Sequence, residues 1–217
     1  MSRFEDTLRI TEIFHSLQGE STTVGLPTVF VRLTGCPLRC QYCDTAYAFH
    51  GGQKMSIDDV VSKVCEYNCY HVTVSGGEPL AQKACLPLLE GLCDKGLQVS
   101  IETSGAMDIS AIDSRVMVVM DLKTPDSKEV DRNLFANIAH LKAEDQIKFV
   151  LCSREDYEWA KELLYEHKLF EQCQLLFSPS FGQLSPRQLA DWIIEDNLPV
   201  RFQMQLHKIL WDDEPGR

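Results

Sequence analysis

VRLTGCPLRCQYCDT, residues 31–45, places Cys36, Cys40 and Cys43 directly after a β-branched, apolar run. That run, Thr28 to Leu33, has the length and composition of a short buried strand. Gly35 and Pro37 then end it, because proline has no amide hydrogen for a ladder and glycine punctuates regular structure. Cysteine spacings of four and three would also line one face of a buried helix, but a glycine and a proline at the start favour a bent loop. In α/β proteins the carboxyl end of a strand is where loops carry chemistry.

Further apolar runs repeat outward from this one, with helix-like segments between them. Strands are expected at Thr7 to His15, Thr28 to Leu33, His71 to Val74, Gln98 to Glu102, Val116 to Asp121, Gln146 to Leu151, Gln174 to Phe177 and Val200 to Gln205. Helices are expected at Ser56 to Tyr67, Gln82 to Lys95, Arg154 to Lys168 and Ser185 to Asn197, with Ser56 or Asp58 and Ser185 as N-caps. The alternation predicts an α/β fold of parallel strands and crossover helices. No repeat or Pro/Gly-rich linker divides the chain, so one domain over residues 1–217 is expected.

The formal charge of -11, from 21 Lys and Arg against 32 Asp and Glu, disfavours direct binding to nucleic acid or to an anionic membrane. A small substrate or a protein partner fits better. The opening MSRFEDTLRI lacks the apolar run of a secretory signal, and no later stretch is long enough to span a bilayer, so a cytoplasmic location is expected. Nine cysteines, an odd number, then argue for reduced thiols. Cys65, Cys69, Cys85, Cys93, Cys152 and Cys173 are expected to be buried as small hydrophobes.

The remaining three form C-x3-C-x2-C. Zinc favours thiolates but normally needs four ligands drawn from separated pairs, and the nearest later pair, Cys65 and Cys69, has helical spacing. A [4Fe-4S] cube held by three thiolates instead leaves one iron free for a small molecule. The amino and carboxylate groups of an amino acid would chelate that iron.

The C-x3-C-x2-C pattern, with Tyr42 before the last cysteine, resembles the signature loop of the radical S-adenosylmethionine superfamily. The resemblance implies a partial, modified (β/α) barrel and a reduced cluster that cleaves S-adenosylmethionine to methionine and a 5′-deoxyadenosyl radical. HVTVSGGEPL, residues 71–80, matches the superfamily's GGEP motif and implies cofactor contacts at Gly76, Gly77 and Glu78. Tyr42, Glu102, Ser104, Asp121, Leu122, Lys123, Ser178, Pro179, Ser180 and Phe181 are implied cofactor positions as well. Taken singly, these later residues read equally well as caps and turns.

Residues 12–45, together with GGEPL, ETSG, DLKTP and QLHK, resemble the 7-carboxy-7-deazaguanine synthase family over nearly the whole chain. That implies contraction of 6-carboxy-5,6,7,8-tetrahydropterin to 7-carboxy-7-deazaguanine and ammonia, in queuosine or other 7-deazapurine biosynthesis. The radical would remove hydrogen at C6 of the pterin and recover it later, so that S-adenosylmethionine is reused. Implied substrate residues are Leu17, Gln18, Gly19, Glu20, Arg32, Ser75 and His207. Their chemistry suits a carboxylated pterin: Gln18 donates and accepts, Glu20 accepts from ring-edge N–H groups, and Arg32 offers paired donors to a carboxylate. Thr45 matches the family's Mg2+ position, where a neutral hydroxyl needs other oxygens beside it.

The family further implies a homodimer and an electron donor such as flavodoxin or ferredoxin. Two departures stand out. Ser21 follows QGE where relatives commonly have glycine, and WDDEPGR extends the acidic end. Rival readings are an activating enzyme that installs a glycyl radical on a protein partner, and a noncatalytic iron-sulfur or zinc module.

Overall fold

The computed structural model describes residues 7–212, Glu214 and Gly216. Residues 1–6 lie outside the described residues, as do Asp213, Pro215 and Arg217 of the acidic end. Nine strands form one sheet: β1 (Thr7–Leu17), β2 (Pro27–Leu33), β3 (Gln53–Ser56), β4 (His71–Gly76), β5 (Gln98–Thr103), β6 (Met117–Asp121), β7 (Gln146–Leu151), β8 (Gln174–Pro179) and β9 (Arg201–Phe202). Their order is β3-β1-β2-β4-β5-β6-β7-β8-β9. From β2 onward every neighbouring pair is parallel, whereas β1 runs antiparallel to both β2 and β3. The sheet is an open, partial barrel, because β3 and β9 stand at opposite edges.

Helices α1 (Ile57–Glu66), α2 (Cys85–Asp94), α3 (Arg154–Glu166) and α4 (Pro186–Glu195) follow β3, β4, β7 and β8 in the chain. The Ser56 hydroxyl caps α1 by accepting from the Asp59 amide, so Asp58 is not its cap. Ser185 precedes α4 but makes no capping bond, and Pro186 at the first helical position has no amide to satisfy. Ser153, unrecognised as a cap, accepts from the Asp156 amide at the start of α3.

Two expected elements change. The strand foreseen over Val200 to Gln205 is only Arg201–Phe202, and the chain then turns into a fifth helix, α5 (Leu206–Trp211). The first strands pair antiparallel because only nine residues separate β1 from β2, too few for a crossover.

The parallel strands alternate. Val72, Val74, Val99, Ile101, Val118, Met120, Ile147 and Phe149 belong to the apolar core with residues of the helices. Each such side chain stabilises the fold by roughly 1.5–3 kcal/mol on full burial. The intervening residues Ser75, Glu102, Val119, Asp121, Lys148 and Val150 line a cavity on the other face. A one-residue slip of any strand would exchange these two sets, so the apolar set fixes where the polar set points.

Of the six cysteines expected to be buried, Cys85 and Cys93 are, Cys69, Cys152 and Cys173 are half-buried, and Cys65 is exposed. Cys65 follows Val64, and the buried face of α1 is Ile57, Val60, Val61 and Val64. One helical step of about 100° carries Cys65 off that face.

Candidate active site

The cavity on the concave face of the sheet has a volume of about 690 Å³. Its floor comes from β2, β4, β5, β6 and β7, and its rim from the cysteine loop, the Gln18–Glu20 loop and the segment leading into α5. Cys36, Cys40 and Cys43 line it, half-buried and outside any disulfide. Burial raises all three thiol pKa values, that of Cys40 to about 11. Bare thiols here are therefore protonated at neutral pH, and a positive metal centre would have to displace their protons. Among the described residues no group of three or more His, Cys, Asp or Glu is gathered tightly enough for a single metal ion. Three thiols on one loop are the ligand number that leaves one iron of a [4Fe-4S] cube open.

The GGE turn after β4 is bolted to that loop. The Gly77 amide donates to the Leu33 carbonyl at 3.2 Å and the Glu78 amide to the Gly35 carbonyl at 2.9 Å. A β-carbon on Gly77 would lie 2.1 Å from the Gly35 oxygen and 2.8 Å from the Cys36 Cβ. The approach requires glycine. Gly76 also lines the cavity, but Glu78 does not. Its carboxylate, fully buried, accepts from the Leu80 amide, the Thr103 hydroxyl, and the amide and hydroxyl of Ser104. Glu78 thus braces the turn and the end of β5, and it is Ser104 that borders the cavity.

Tyr42, Glu102, Asp121, Lys123, Ser180 and Phe181 also border the cavity, whereas Leu122, Ser178 and Pro179 are packed behind it. Lys123 pairs with Asp121 at 3.0 Å and lies 5.9 Å from the Tyr42 ring centre. The second oxygen of Asp121 and the Tyr42 hydroxyl are buried without a hydrogen-bond partner. Both are unpaired polar atoms in the wall of the site.

Leu17, Gln18, Gly19, Glu20, Arg32, Ser75 and His207 all line the same space. Strand register sets Arg32 beside Ser75 and, across the antiparallel pair, beside Glu12. Arg32 Nε donates to Glu12 at 2.7 Å, and its guanidinium lies near the Phe14 and Tyr47 rings. Gln18 donates to Thr73 at 3.1 Å. His207 packs on Gly19, where a β-carbon would fall 2.2 Å from Nδ1. Burial lowers the His207 pKa, outweighing the carboxylates of Glu20 and Asp44, so the ring is neutral at pH 7. Thr45 donates to Asp44 at 2.7 Å and faces the cavity.

Lys148 and Gln205 border the cavity as well and were not foreseen. Lys148 had a signal: a lysine in the middle of QIKFVL must be buried with partners or face a polar space. Gln205 had none beyond the QLHK match, because its partners lie far away in sequence.

Comparison with known proteins agrees with this geometry. Residues 30–164 match the model of the radical SAM superfamily. The chain is 43% identical to the 7-carboxy-7-deazaguanine synthase of Chlorobaculum tepidum, with 97% of each chain covered. The chain belongs to the 7-carboxy-7-deazaguanine synthase family. It is 40% identical to the synthase of Koribacter versatilis, over 95% of this chain and 98% of that one. The crystal structure of QueE from Escherichia coli superposes with a TM-score of 0.78 at 25% identity, covering 93% of this chain and 95% of that one. Membership carries with it a [4Fe-4S] cluster and S-adenosylmethionine.

Proposed function

We infer that this chain performs the family's ring contraction, converting 6-carboxy-5,6,7,8-tetrahydropterin to 7-carboxy-7-deazaguanine and ammonia, in the one cavity described. The observation that carries the reading is that a single space joins the three thiols to Gln18, Glu20, Arg32 and His207. A volume of about 690 Å³ is ample for a small-molecule site, where about 300–1,000 Å³ is usual.

Cys36, Cys40 and Cys43 would hold the cluster, which supplies the electron that cleaves S-adenosylmethionine and so generates the radical. Gly76, Gly77, Ser104, Asp121, Lys123 and Ser180 would bind the cofactor, the glycines through exposed backbone. Glu20 would accept from the pterin's N–H edge, Arg32 would take its carboxylate, and neutral His207 would add a hydrogen bond. Substrate and cofactor held side by side in this one cavity would keep the hydrogen removed from C6 within reach for its return. Mg2+ would sit at Thr45, where a hydroxyl and the carboxylate of a pterin supply the hard oxygens it prefers.

We place the enzyme in the cytoplasm, as a homodimer fed electrons by a flavodoxin or ferredoxin; among the described residues no helix is long and apolar enough to cross a membrane. The test is anaerobic incubation of reconstituted, reduced protein with S-adenosylmethionine, Mg2+ and 6-carboxytetrahydropterin. Formation of 7-carboxy-7-deazaguanine by mass spectrometry, lost in Cys40→Ala, is expected. Only 5′-deoxyadenosine from protein with an intact cluster would contradict the substrate and favour an activating enzyme.

A further inference from the structure

The concave face carries a buried charge cluster that cofactor ligation does not explain. Lys148 Nζ donates to Glu20 Oε2 at 2.7 Å and lies 3.5 Å from Asp121 Oδ2. Gln205 Nε2 donates to the other oxygen of Glu20 at 2.9 Å and reaches Asp44 at 3.2 Å. The side chains of Lys148 and Glu20 are only 11% and 12% exposed.

We propose that Lys148 is a positioning residue for the pterin: with Gln205 it fixes the orientation of the Glu20 carboxylate, so that Glu20 meets a ring edge as an acceptor. This rests on the reading that Glu20 faces the pterin. A carboxylate can accept about four hydrogen bonds, two on each oxygen. One donor on each oxygen, coming from β7 on one side and from the segment before α5 on the other, sets its plane and leaves capacity on both oxygens. Two N–H groups of a ring edge need that paired arrangement.

Neighbouring Glu102 is a second carboxylate on the same wall. Glu20 and Glu102 both border the cavity, and burial works against the charge of each. At Glu20 burial raises the pKa, but the Lys148 charge and the hydrogen bonds from Lys148 and Gln205 together bring it below the usual value. At Glu102 burial, with the charge of Glu20, prevails over the Lys148 charge and the 3.1 Å Ser75 hydrogen bond, and the pKa is raised. The Lys148 charge acts on both carboxylates, but its 2.7 Å hydrogen bond goes to Glu20. A buried pair of this kind is a weak source of net stability, because desolvation of both ions opposes their attraction. Its place on the cavity wall fits a role in binding.

The experiment measures kcat, and KM for each of 6-carboxytetrahydropterin and S-adenosylmethionine, in reconstituted Glu20→Gln, Lys148→Met, their double variant and Lys148→Arg. Glu20→Gln and Lys148→Met are each expected to raise the pterin KM about tenfold, while KM for S-adenosylmethionine stays within about threefold. The double variant should be no worse than Glu20→Gln alone, and Lys148→Arg should recover most of the loss. A pterin KM raised by Glu20→Gln but untouched by Lys148→Met overturns the proposal, as do losses that multiply in the double variant, since Lys148 would then act independently. An unchanged pterin KM in Glu20→Gln removes the reading of Glu20 itself and the proposal with it. If Lys148→Met does not fold, the double variant, which removes both charges together, makes the same comparison with Glu20→Gln.

Discussion

The two ends of the cavity are built differently. At the cluster end, the thiols and the GGE turn come from two short segments locked by backbone hydrogen bonds, the Gly77 amide to Leu33 and the Glu78 amide to Gly35. At the pterin end, the Gln18–Glu20 loop is held by residues from β7 and from the segment before α5. Lys148 and Gln205 bind Glu20, the Leu206 amide donates to the Gly19 carbonyl, and Gln203 accepts from the Ser21 amide. Backbone against backbone tolerates almost no change, while side-chain contacts, which make up the pterin-end ties apart from the Leu206–Gly19 bond, can shift by rotamer at modest cost. On the proposed assignment, the chemistry common to the superfamily would sit on the stiff part and the choice of substrate on the adjustable one.

Two glycines sharpen that comparison. Gly77→Ala pushes a β-carbon against the Gly35 carbonyl, which cannot move without shifting Cys36. Activity should fall about 100-fold for 5′-deoxyadenosine and deazaguanine alike, measured in the same anaerobic reaction. Equal rates to wild type would show that the cluster end is not rigid. Thr45→Val should cost roughly tenfold in deazaguanine formation while leaving cofactor cleavage nearly intact, with a reduced response to added Mg2+. Loss of both products together would place Thr45 with the cluster instead. Gly19→Ala meets the His207 ring first, a side chain able to turn away. It should raise the pterin KM several-fold, roughly three to ten, with cofactor cleavage unchanged; a loss as large as that of Gly77→Ala would erase the distinction.

The cluster end was the legible one because its determinants are contiguous. Glycine, proline and three cysteines after an apolar strand specify a loop, a ligand set and a place in an α/β fold without any distant partner. The strands were legible for the same reason, and Gln146–Leu151 has the expected bounds. What escaped was the role of some polar positions inside them. In HVTVS, QVSIE and QIKFV, Thr73, Ser100 and Lys148 lie off the apolar core beside the foreseen Ser75 and Glu102. Thr73 and Ser100 share a hydrogen bond at 2.8 Å, and Gln18 joins them. Ser21, where relatives commonly have glycine, adopts φ +66 and is held by its amide bond to Gln203 and its hydroxyl contact with Thr23. The loop therefore keeps a left-handed turn without glycine. None of those partners could be read locally, and neither could the short α5, whose docking depends on Gly19.

The division of labour between the two ends is tested most directly by following both products in Glu20→Gln. Reconstituted to the same cluster content as wild type, the variant should form far less 7-carboxy-7-deazaguanine at a fixed, subsaturating pterin concentration, while the 5′-deoxyadenosine released by uncoupled cofactor cleavage stays at the wild-type level. A proportionate fall of both products would contradict the account, because Glu20 would then serve the radical machinery rather than the pterin.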